Sequence, residues 1–476
     1  MKINPFIFRG YDLRGLVDID LNPAIVENIG RAFGTYLKRG GIMKAVVSYD
    51  CRATSPAYSE ALIKGMAWAG VDVINIGMNM VGTFYWAQYY LNCLGGVFVT
   101  ASHNPAEYNG FKFANGLSET LVAEGMQRLR EMVENDDYEI GLKPGTVTSQ
   151  DIRKLYFQDL LKRFKINKKF KVVVDASCST PGVIVPELLR LAGCEVIESN
   201  CQIDPTFPLG TPDPTEVIVA ERLRDRILKE KADIGFSYDA DGDRVGAVDN
   251  EGRIIWNDVL VAIFAADVLH YHPGSIIMYN TLCSRLVTET IISNGGQPFM
   301  WRTGHSFLKK KNQEVGAAFI GELSGHFFFS RDFYNHDDGC YSTLRLLDYL
   351  SRTSQSLAQA IKALPLYISS PEIKVGCPDN LKVDLIARVA QVLKTDWPQA
   401  EIIDDERAGD GVRLEMPDAM FVLRYSQNGP YLTAKFEAKD TVRYDQIRVY
   451  INTLLHRFPE IDWTYGVNVE SLDQKK

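Results

Sequence analysis

From residue 44 to about residue 365, short runs rich in β-branched residues alternate with helical stretches. No other feature of the chain restricts its possible folds as much. Ala45-Val46-Val47-Ser48-Tyr49, Asp72-Val73-Ile74-Asn75-Ile76, Lys171-Val172-Val173-Val174-Asp175 and Ile276-Ile277-Met278-Tyr279 read as core strands. Strands of this kind separated by helices build βαβ units, with parallel or mixed sheets covered on both faces. Beyond that region the pattern changes. Arg413-Leu414-Glu415, Met420-Phe421-Val422-Leu423-Arg424 and Tyr431 to Glu437 read as antiparallel strands. A helix from about Tyr444 to Phe458 follows, with Ile447, Ile451, Leu454, Leu455 and Phe458 on its buried side. The fold class expected is α/β: three βαβ-type mixed-sheet domains, then a smaller α+β domain.

Breaks are expected at Leu142-Lys143-Pro144-Gly145, ahead of a helix from Asp151 to Lys165, and after the Asn250-Glu251-Gly252 hairpin turn. A third falls near Pro365 to Pro371. The domains are therefore expected at 1–148, 149–253, 254–368 and 369–476, and 476 residues suit three or four domains. Neither an internal repeat nor a low-complexity segment is visible.

Composition narrows the function. A 46% hydrophobic, 24% charged chain is ordinary for a soluble globular protein, and no apolar stretch reaches membrane-spanning length. Met1-Lys2-Ile3-Asn4-Pro5 has no secretory h-region, so a cytoplasmic location is expected. The eight cysteines are scattered with no Cys-x-x-Cys pair, which suits reduced thiols. A net charge of −8 argues against a nucleic-acid partner or a polybasic membrane anchor. An anionic ligand would need positive charge concentrated locally. Arg14, Lys112, Arg244, Arg302 and Arg424 can supply it.

Two loops carry chemistry. Gly95-Gly96-Val97-Phe98-Val99 reads as a buried strand running into Ser102-His103-Asn104-Pro105, where Pro105 stops the ladder. A hydroxyl at a strand mouth, beside an imidazole and with Lys112 near, suits phosphoryl chemistry. Alone, Ser102 and Asn104 read equally well as turn or helix caps. Asp239-Ala240-Asp241-Gly242-Asp243-Arg244 then places three carboxylates at alternate positions, a hard oxygen set suited to Mg²⁺ or Ca²⁺. An EF-hand fails on spacing, because Arg244 stands at the sixth position and Asn250 at the twelfth. Arg244 beside a metal loop is a natural phosphate clamp.

These two segments resemble the phosphoserine loop and the metal loop of the α-D-phosphohexomutases. Gly321-Glu322-Leu323-Ser324-Gly325-His326 resembles the sugar-binding loop of that family, and Arg424-Tyr425-Ser426-Gln427-Asn428-Gly429-Pro430 its phosphate-binding loop. The order and separation of the four match, so the resemblance covers essentially the whole chain. Phe8-Arg9-Gly10-Tyr11-Asp12-Leu13-Arg14-Gly15 is similar to the N-terminal active-site segment, which makes Tyr11 and Arg14 phosphate neighbours. Arg302-Thr303-Gly304-His305-Ser306 also matches, with Arg302 where many relatives carry lysine. Lys309, Lys310 and Lys311 read as a solvated helix face. The phosphate loop departs from the family's Arg-x-Ser-Asn-Thr-x-Pro. Arg424, Ser426 and Pro430 keep their places, while Gln427, Asn428 and the amides around Gly429 can still donate to phosphate.

The resemblance implies four domains around a central cleft and reversible phosphate transfer between C1 and C6 of a hexose phosphate. Ser102 would carry the phosphoryl group, with a hexose 1,6-bisphosphate as intermediate and activator. Mg²⁺ would be held by Ser102, Asp239, Asp241 and Asp243, with Arg14 and Arg244 assisting. His103 and Lys112 are both candidates for proton transfer and phosphoserine contact. Glu322, Ser324 and His326, at i, i+2 and i+4, would share a face toward sugar hydroxyls. Arg302, His305, Arg424, Ser426, Gln427, Asn428 and Gly429 would complete substrate binding. The partner implied is a hexose phosphate; the oligomeric state is open, and a monomer is compatible. Leu323 is closer to the Met of the dual phosphomannomutase/phosphoglucomutase group than to the Gln of phosphoglucosamine mutases, which are the alternative. An inactive sugar-phosphate-binding homologue is a further one, opposed by intact Ser102 and all three aspartates.

Overall fold

The computed structural model describes residues 3–426 and 429–473, which form two compact units. The first unit comprises the chain up to Ile254 together with Gly325–Phe328 and Phe333–Ala358. It holds two sheets. One is ordered Leu13–Leu16, Tyr108–Gly116, Gly95–Val99, Lys44–Tyr49, Asp72–Met78, Val147–Ser149. The last four strands are mutually parallel, and the first two antiparallel, so the sheet is mixed. The other sheet places Lys171–Asp175 between Glu195–Ser199 and Ile234–Tyr238, parallel to both, with Val245–Asp249 antiparallel beyond.

Each sheet places its loop for the same reason. In the first, the chain passes from Lys44–Tyr49 to Asp72–Met78 on one side, then returns to lay Gly95–Val99 on the other. The crevice thus opened lies beyond the carboxyl ends of Lys44–Tyr49 and Gly95–Val99, where ligands bind in open α/β sheets. Ser102 follows there. In the second, the reversal falls between Lys171–Asp175 and Ile234–Tyr238, and Asp239 to Asp243 emerge from it.

The second unit comprises Ile255–Ser324, Phe329–Asp332 and the chain from Gln359 onward. Its first module repeats the pattern: Ile276–Asn280 lies parallel to Gln297–Trp301 on one side and Phe319–Gly321 on the other. Glu322 to Ser324 leave that third reversal. Three similar modules are therefore present in backbone topology although no repeat is legible in the sequence.

The C-terminal module is an antiparallel sheet ordered Glu401–Ile403, Gly411–Glu415, Ala419–Tyr425, Tyr431–Ala438, Ile373–Gly376, Asp462–Val467. The period-two alternation gives its strands two unlike faces. Val412, Leu414, Phe421, Leu432, Ala434 and Phe436 pack with residues of the helices Lys382–Asp396 and Thr441–Leu455. The opposite face carries Arg413, Lys435 and Glu437, all buried. Arg413 donates to the carbonyls of Thr281 and Cys283 at 2.5 and 2.6 Å, and Glu437 accepts the Arg285 amide at 2.8 Å. Lys435 ion-pairs with buried Asp258.

Among elements read from sequence, the last helix differs in extent. It begins at Thr441 rather than near Tyr444, because the Asp440 carboxylate accepts the Arg443 amide and caps it. It ends at Leu455, with Phe458 buried just beyond. Among the described residues no helix is long and apolar enough to cross a membrane. Lys435→Ala would strand Asp258 as an uncompensated buried charge. We expect it to destabilise the second unit by about 3–5 kcal/mol, read as a lowered midpoint in denaturant unfolding.

Candidate active site

Ser102 follows Gly95–Val99 in a left-handed backbone conformation with φ of 49° and is buried. Only a surrounding structure that over-determines the loop retains a non-glycine residue there. The structure supplies that restraint through Arg52. Its Nη2 donates to the carbonyls of Ser102 and Asn104, both at 2.6 Å, and its Nη1 to those of Pro105 and Tyr108 at 2.7 and 3.0 Å. Asp50 pairs with Arg52 at 3.2 Å and accepts the Thr100 hydroxyl at 2.8 Å; Thr100 in turn accepts the Ser102 amide at 2.7 Å. Burial pushes the Asp50 carboxyl up and the Arg52 guanidinium down, each opposed by the other's charge.

The Ser102 hydroxyl donates to Asp239 Oδ2 at 2.9 Å and lies 3.2 Å from His103 Nδ1. It caps no helix. Asn104 does not either: its Oδ1 accepts Arg14 Nη1 at 2.5 Å. Arg14 is fixed from behind by Asp12, which takes its Nε at 2.8 Å. Burial lowers the pKa of Arg14 and Arg244, but Asp12 at the first and Asp213 with Asp239 at the second outweigh it, and Tyr11 adds to the rise at both.

Asp239, Asp241 and Asp243 converge, with one oxygen of each within 4.8 Å of the others. Asp239 Oδ1 accepts the amides of Gly242 and Arg244, both at 3.1 Å, which curls the loop. Lys112 Nζ reaches Asp241 at 2.9 Å and Asp243 at 2.6 Å. Burial alone would push this ammonium down, but the two aspartates outweigh it and hold its pKa well above the usual lysine value. Burial, then Asp241 and Asp243, push Asp239 well above the carboxylate range. At Asp241 and Asp243 burial acts the same way, yet Lys112 prevails and both lie below that range. Three carboxylates thus face one ammonium. Oδ1 of Asp241 and of Asp243 is buried without a hydrogen-bond partner. This is a donor set that a hard divalent cation fits.

Arg244 Nε donates to His326 Nε2 at 3.1 Å, and Nη1 lies 3.5 Å from Asp213. Because Nε2 receives that N–H, the proton of the neutral ring is on Nδ1, 2.7 Å from Asp337. Burial lowers the ring's pKa, while Asp243 and Asp337 more than offset it. A proton added at Nε2 would expel the Arg244 bond. The structure therefore groups His326 with the metal loop, 3.6 Å from Asp243 Oδ1.

Glu322 and Ser324 belong to the second unit. Glu322 is buried and accepts the Gly304 amide at 3.1 Å. Asn280, ending the central strand, accepts the Leu323 amide and donates to Thr303 Oγ1, each at 3.1 Å. It thereby ties the Glu322 loop to the segment bearing Arg302 and His305. His305 is buried at the start of the helix His305–Val315, and the Arg302 guanidinium lies 4.3 Å from the Phe307 ring. On that helix Lys309 is buried and Lys310 exposed, so the three lysines are not one solvated face. Arg424 makes a bidentate pair with Asp410 at 3.0 and 2.6 Å, and Asp410 raises its pKa against the opposing effect of burial. Lys382 Nζ donates to the carbonyls of Ser426 and Gly429 at 2.6 and 3.2 Å. Gln427 and Asn428 lie outside the described residues.

Sequence reading passed over Asp50, Arg52, Asp337, Asp410 and Lys382. For Asp50 and Arg52 a signal existed. They follow a strand parallel to Gly95–Val99, with Tyr49 opposite Val99, so their loop and the Ser102 loop must leave the sheet side by side. The others meet their partners only through the tertiary fold.

Comparison with known proteins agrees with this geometry. Residues 5–139, 154–252 and 256–367 match the models of phosphoglucomutase/phosphomannomutase alpha/beta/alpha domains I, II and III, respectively. A Pseudomonas putida protein named phosphomannomutase/phosphoglucomutase is 38% identical over 459 residues, 96% of each chain. A Neisseria gonorrhoeae phosphoglucomutase is 33% identical over 461 residues, 96% of this chain and 98% of that one. The crystal structure of a phosphoglucomutase/phosphomannomutase family protein from Burkholderia thailandensis superposes with a TM-score of 0.86 at 33% identity, covering 96% of this chain and 98% of the other. The chain belongs to the phosphoglucomutase/phosphomannomutase family of phosphohexomutases.

Proposed function

We propose that this enzyme interconverts hexose 1-phosphates and hexose 6-phosphates, with glucose and mannose phosphates as its substrates. The observation that carries this reading is the contact between the Ser102 hydroxyl and the Asp239 carboxylate, inside a loop of three aspartates. It puts a nucleophilic, phosphorylatable oxygen against the place where charge on a transferring phosphoryl group would be neutralised. Ser102 carries the phosphoryl group and gives it to the free hydroxyl of a hexose monophosphate. The 1,6-bisphosphate turns over in the site, and its other phosphate returns to Ser102. Asp239, Asp241, Asp243 and Ser102 would hold Mg²⁺, which would supply charge neutralisation during transfer.

The chain's own groups have distinct tasks. Arg14, Tyr11 and Arg244 orient the oxygens of the phosphoryl group being moved. Lys112 balances two of the aspartates. His103, 3.2 Å from Ser102 Oγ, can accept or return a proton there. His326 holds Arg244 in place through Nε2. Glu322 and Ser324 meet the sugar hydroxyls, with Arg302 and His305 beside them. The non-reacting phosphate is held by the loop of Arg424, Ser426, Gln427, Asn428 and Gly429. Asp410 fixes the Arg424 fork through Nε and Nη2, leaving Nη1 for that phosphate. The enzyme acts in the cytoplasm, without a nucleic-acid or membrane partner.

Four outcomes test this. Ser102→Ala should retain the fold and lose nearly all turnover. Near wild-type mutase activity without added bisphosphate would contradict the role given to Ser102. Asp241→Asn removes one of three anionic ligands and should raise the Mg²⁺ concentration needed for half-maximal rate while cutting kcat. Full activity in excess chelator would refute the metal assignment. Glucose and mannose 1-phosphates should show comparable kcat/KM, with glucosamine 1-phosphate poorer; a clear preference for the amino sugar would put the chain among phosphoglucosamine mutases. Glu322→Ala should lower kcat/KM for every accepted sugar alike, by about 1–3 kcal/mol for lost buried hydrogen bonds.

A further inference from the structure

Two non-glycine residues with left-handed backbone flank the Arg52 guanidinium: Ser102, with φ of 49°, and Phe207, with φ of 48°. Serine in that region is uncommon. A bulky aromatic there is an outlier, which persists only where its surroundings impose it. Phe207 comes from the module that carries the metal loop, and its ring centre lies 5.1 Å from Arg52 Cζ. The edge nitrogens of Arg52 are committed to the carbonyls of Ser102, Asn104, Pro105 and Tyr108 and to Asp50. The aromatic ring covers a guanidinium face, a favourable cation–π arrangement in a desolvated setting.

The same ring reaches the metal loop. Phe207 is buried with Cys51 and Ala240, and Met78, Ala106 and Ile203 pack against the three. Ala240 separates Asp239 from Asp241, and Ala106 follows Pro105 in the Ser102 loop. One apolar plug therefore joins the two loops whose reactive groups meet at Ser102 Oγ and Asp239 Oδ2. Arg52 and Phe207 are 1% and 5% exposed, so neither is presented to a ligand.

We propose that Arg52 and Phe207 are a positioning pair. Arg52 fixes the backbone of the Ser102 loop, Phe207 fixes Arg52 against the metal-loop module, and together they set the placement of Ser102 Oγ relative to Asp239. The pair governs the phosphoryl step without touching substrate. This rests on the phosphoserine reading above.

The test uses the full-length chain with Mg²⁺ and glucose 1-phosphate. Arg52→Lys keeps the charge but cannot span four carbonyls with a planar fork. It should cut kcat about 100-fold with KM within about threefold of wild type, the pattern of a misplaced reacting atom. Phe207→Leu leaves every hydrogen bond of Arg52 in place and should cut kcat about 10-fold, again with KM little changed. Phe207→Tyr keeps the ring and should restore near wild-type turnover. In Arg52→Lys and Phe207→Leu, amides of residues 100–108 should exchange hydrogen faster, while those of the C-terminal module do not change. If Arg52→Lys does not fold, the Phe207 variants carry the test alone. Wild-type kcat and exchange in Phe207→Leu, or a raised KM with kcat intact in either variant, would overturn the proposal. A wild-type chain without mutase activity would overturn the phosphoserine reading instead, and the exchange measurement would still decide whether the pair holds the loop.

Discussion

Three carboxylates forced together out of water are the constraint on which the site depends. Asp239, Asp241 and Asp243 are all buried, and Lys112 is the one ammonium that reaches two of them. Like charges so placed repel strongly in a low-dielectric interior, and Lys112, with the Arg244 guanidinium 4.0 Å from Asp239, offsets them only in part. Burial first, and then the charges of Asp241 and Asp243, hold the Asp239 carboxyl well above the usual carboxylate range. A divalent cation held there would relieve the repulsion, and an entering phosphoryl group would then meet a site whose charge is already arranged. Arg244, His326 and Asp337 extend the arrangement in one chain of contacts from the metal loop outward.

Topology decides where such a cluster can be built. Each of the three α/β modules reverses its strand order once, and each reversal opens at the carboxyl ends of two parallel strands. Ser102, Asp239 to Asp243, and Glu322 to Ser324 leave those ends. Strand ends are rigid, so the loops begin from fixed points, and short-range bonds finish the placement: Arg52 in the first module, the Asp239 carboxylate in the second, Asn280 in the third. The C-terminal module follows another rule. Its sheet alternates a packed apolar face with a buried ionic one, and Arg424 lies on the latter, one residue before its strand ends.

Much of this was legible in the sequence because the signals are local. Gly95–Val99 is apolar and β-branched, and its strand stands where the pattern puts it; the three aspartates at alternate positions do converge. What escaped depends on distant partners. Asp337 acquires its role only once His326 is brought beside it, and Asp410 only when a strand register sets it by Arg424. His326 reads as part of a continuous hexapeptide with Glu322 and Ser324, yet its ring bonds to Arg244 and Asp337. Spacing along a loop does not say which side chains share a partner. Lys309 misled for a similar reason: three consecutive lysines suggest solvent, but consecutive helical positions point 100° apart, and one of them turns inward.

The central claim is that Ser102 is the phosphoryl carrier, and it can be observed directly. The purified enzyme would be incubated with glucose 1,6-bisphosphate bearing a labelled phosphate, freed of ligand, and mapped by peptide mass spectrometry before and after a single addition of unlabelled glucose 1-phosphate. The account predicts label on the peptide containing Ser102, discharged into the sugar on the time scale of one turnover. Label that is absent, that sits on another residue, or that remains on Ser102 while substrate is converted would contradict it.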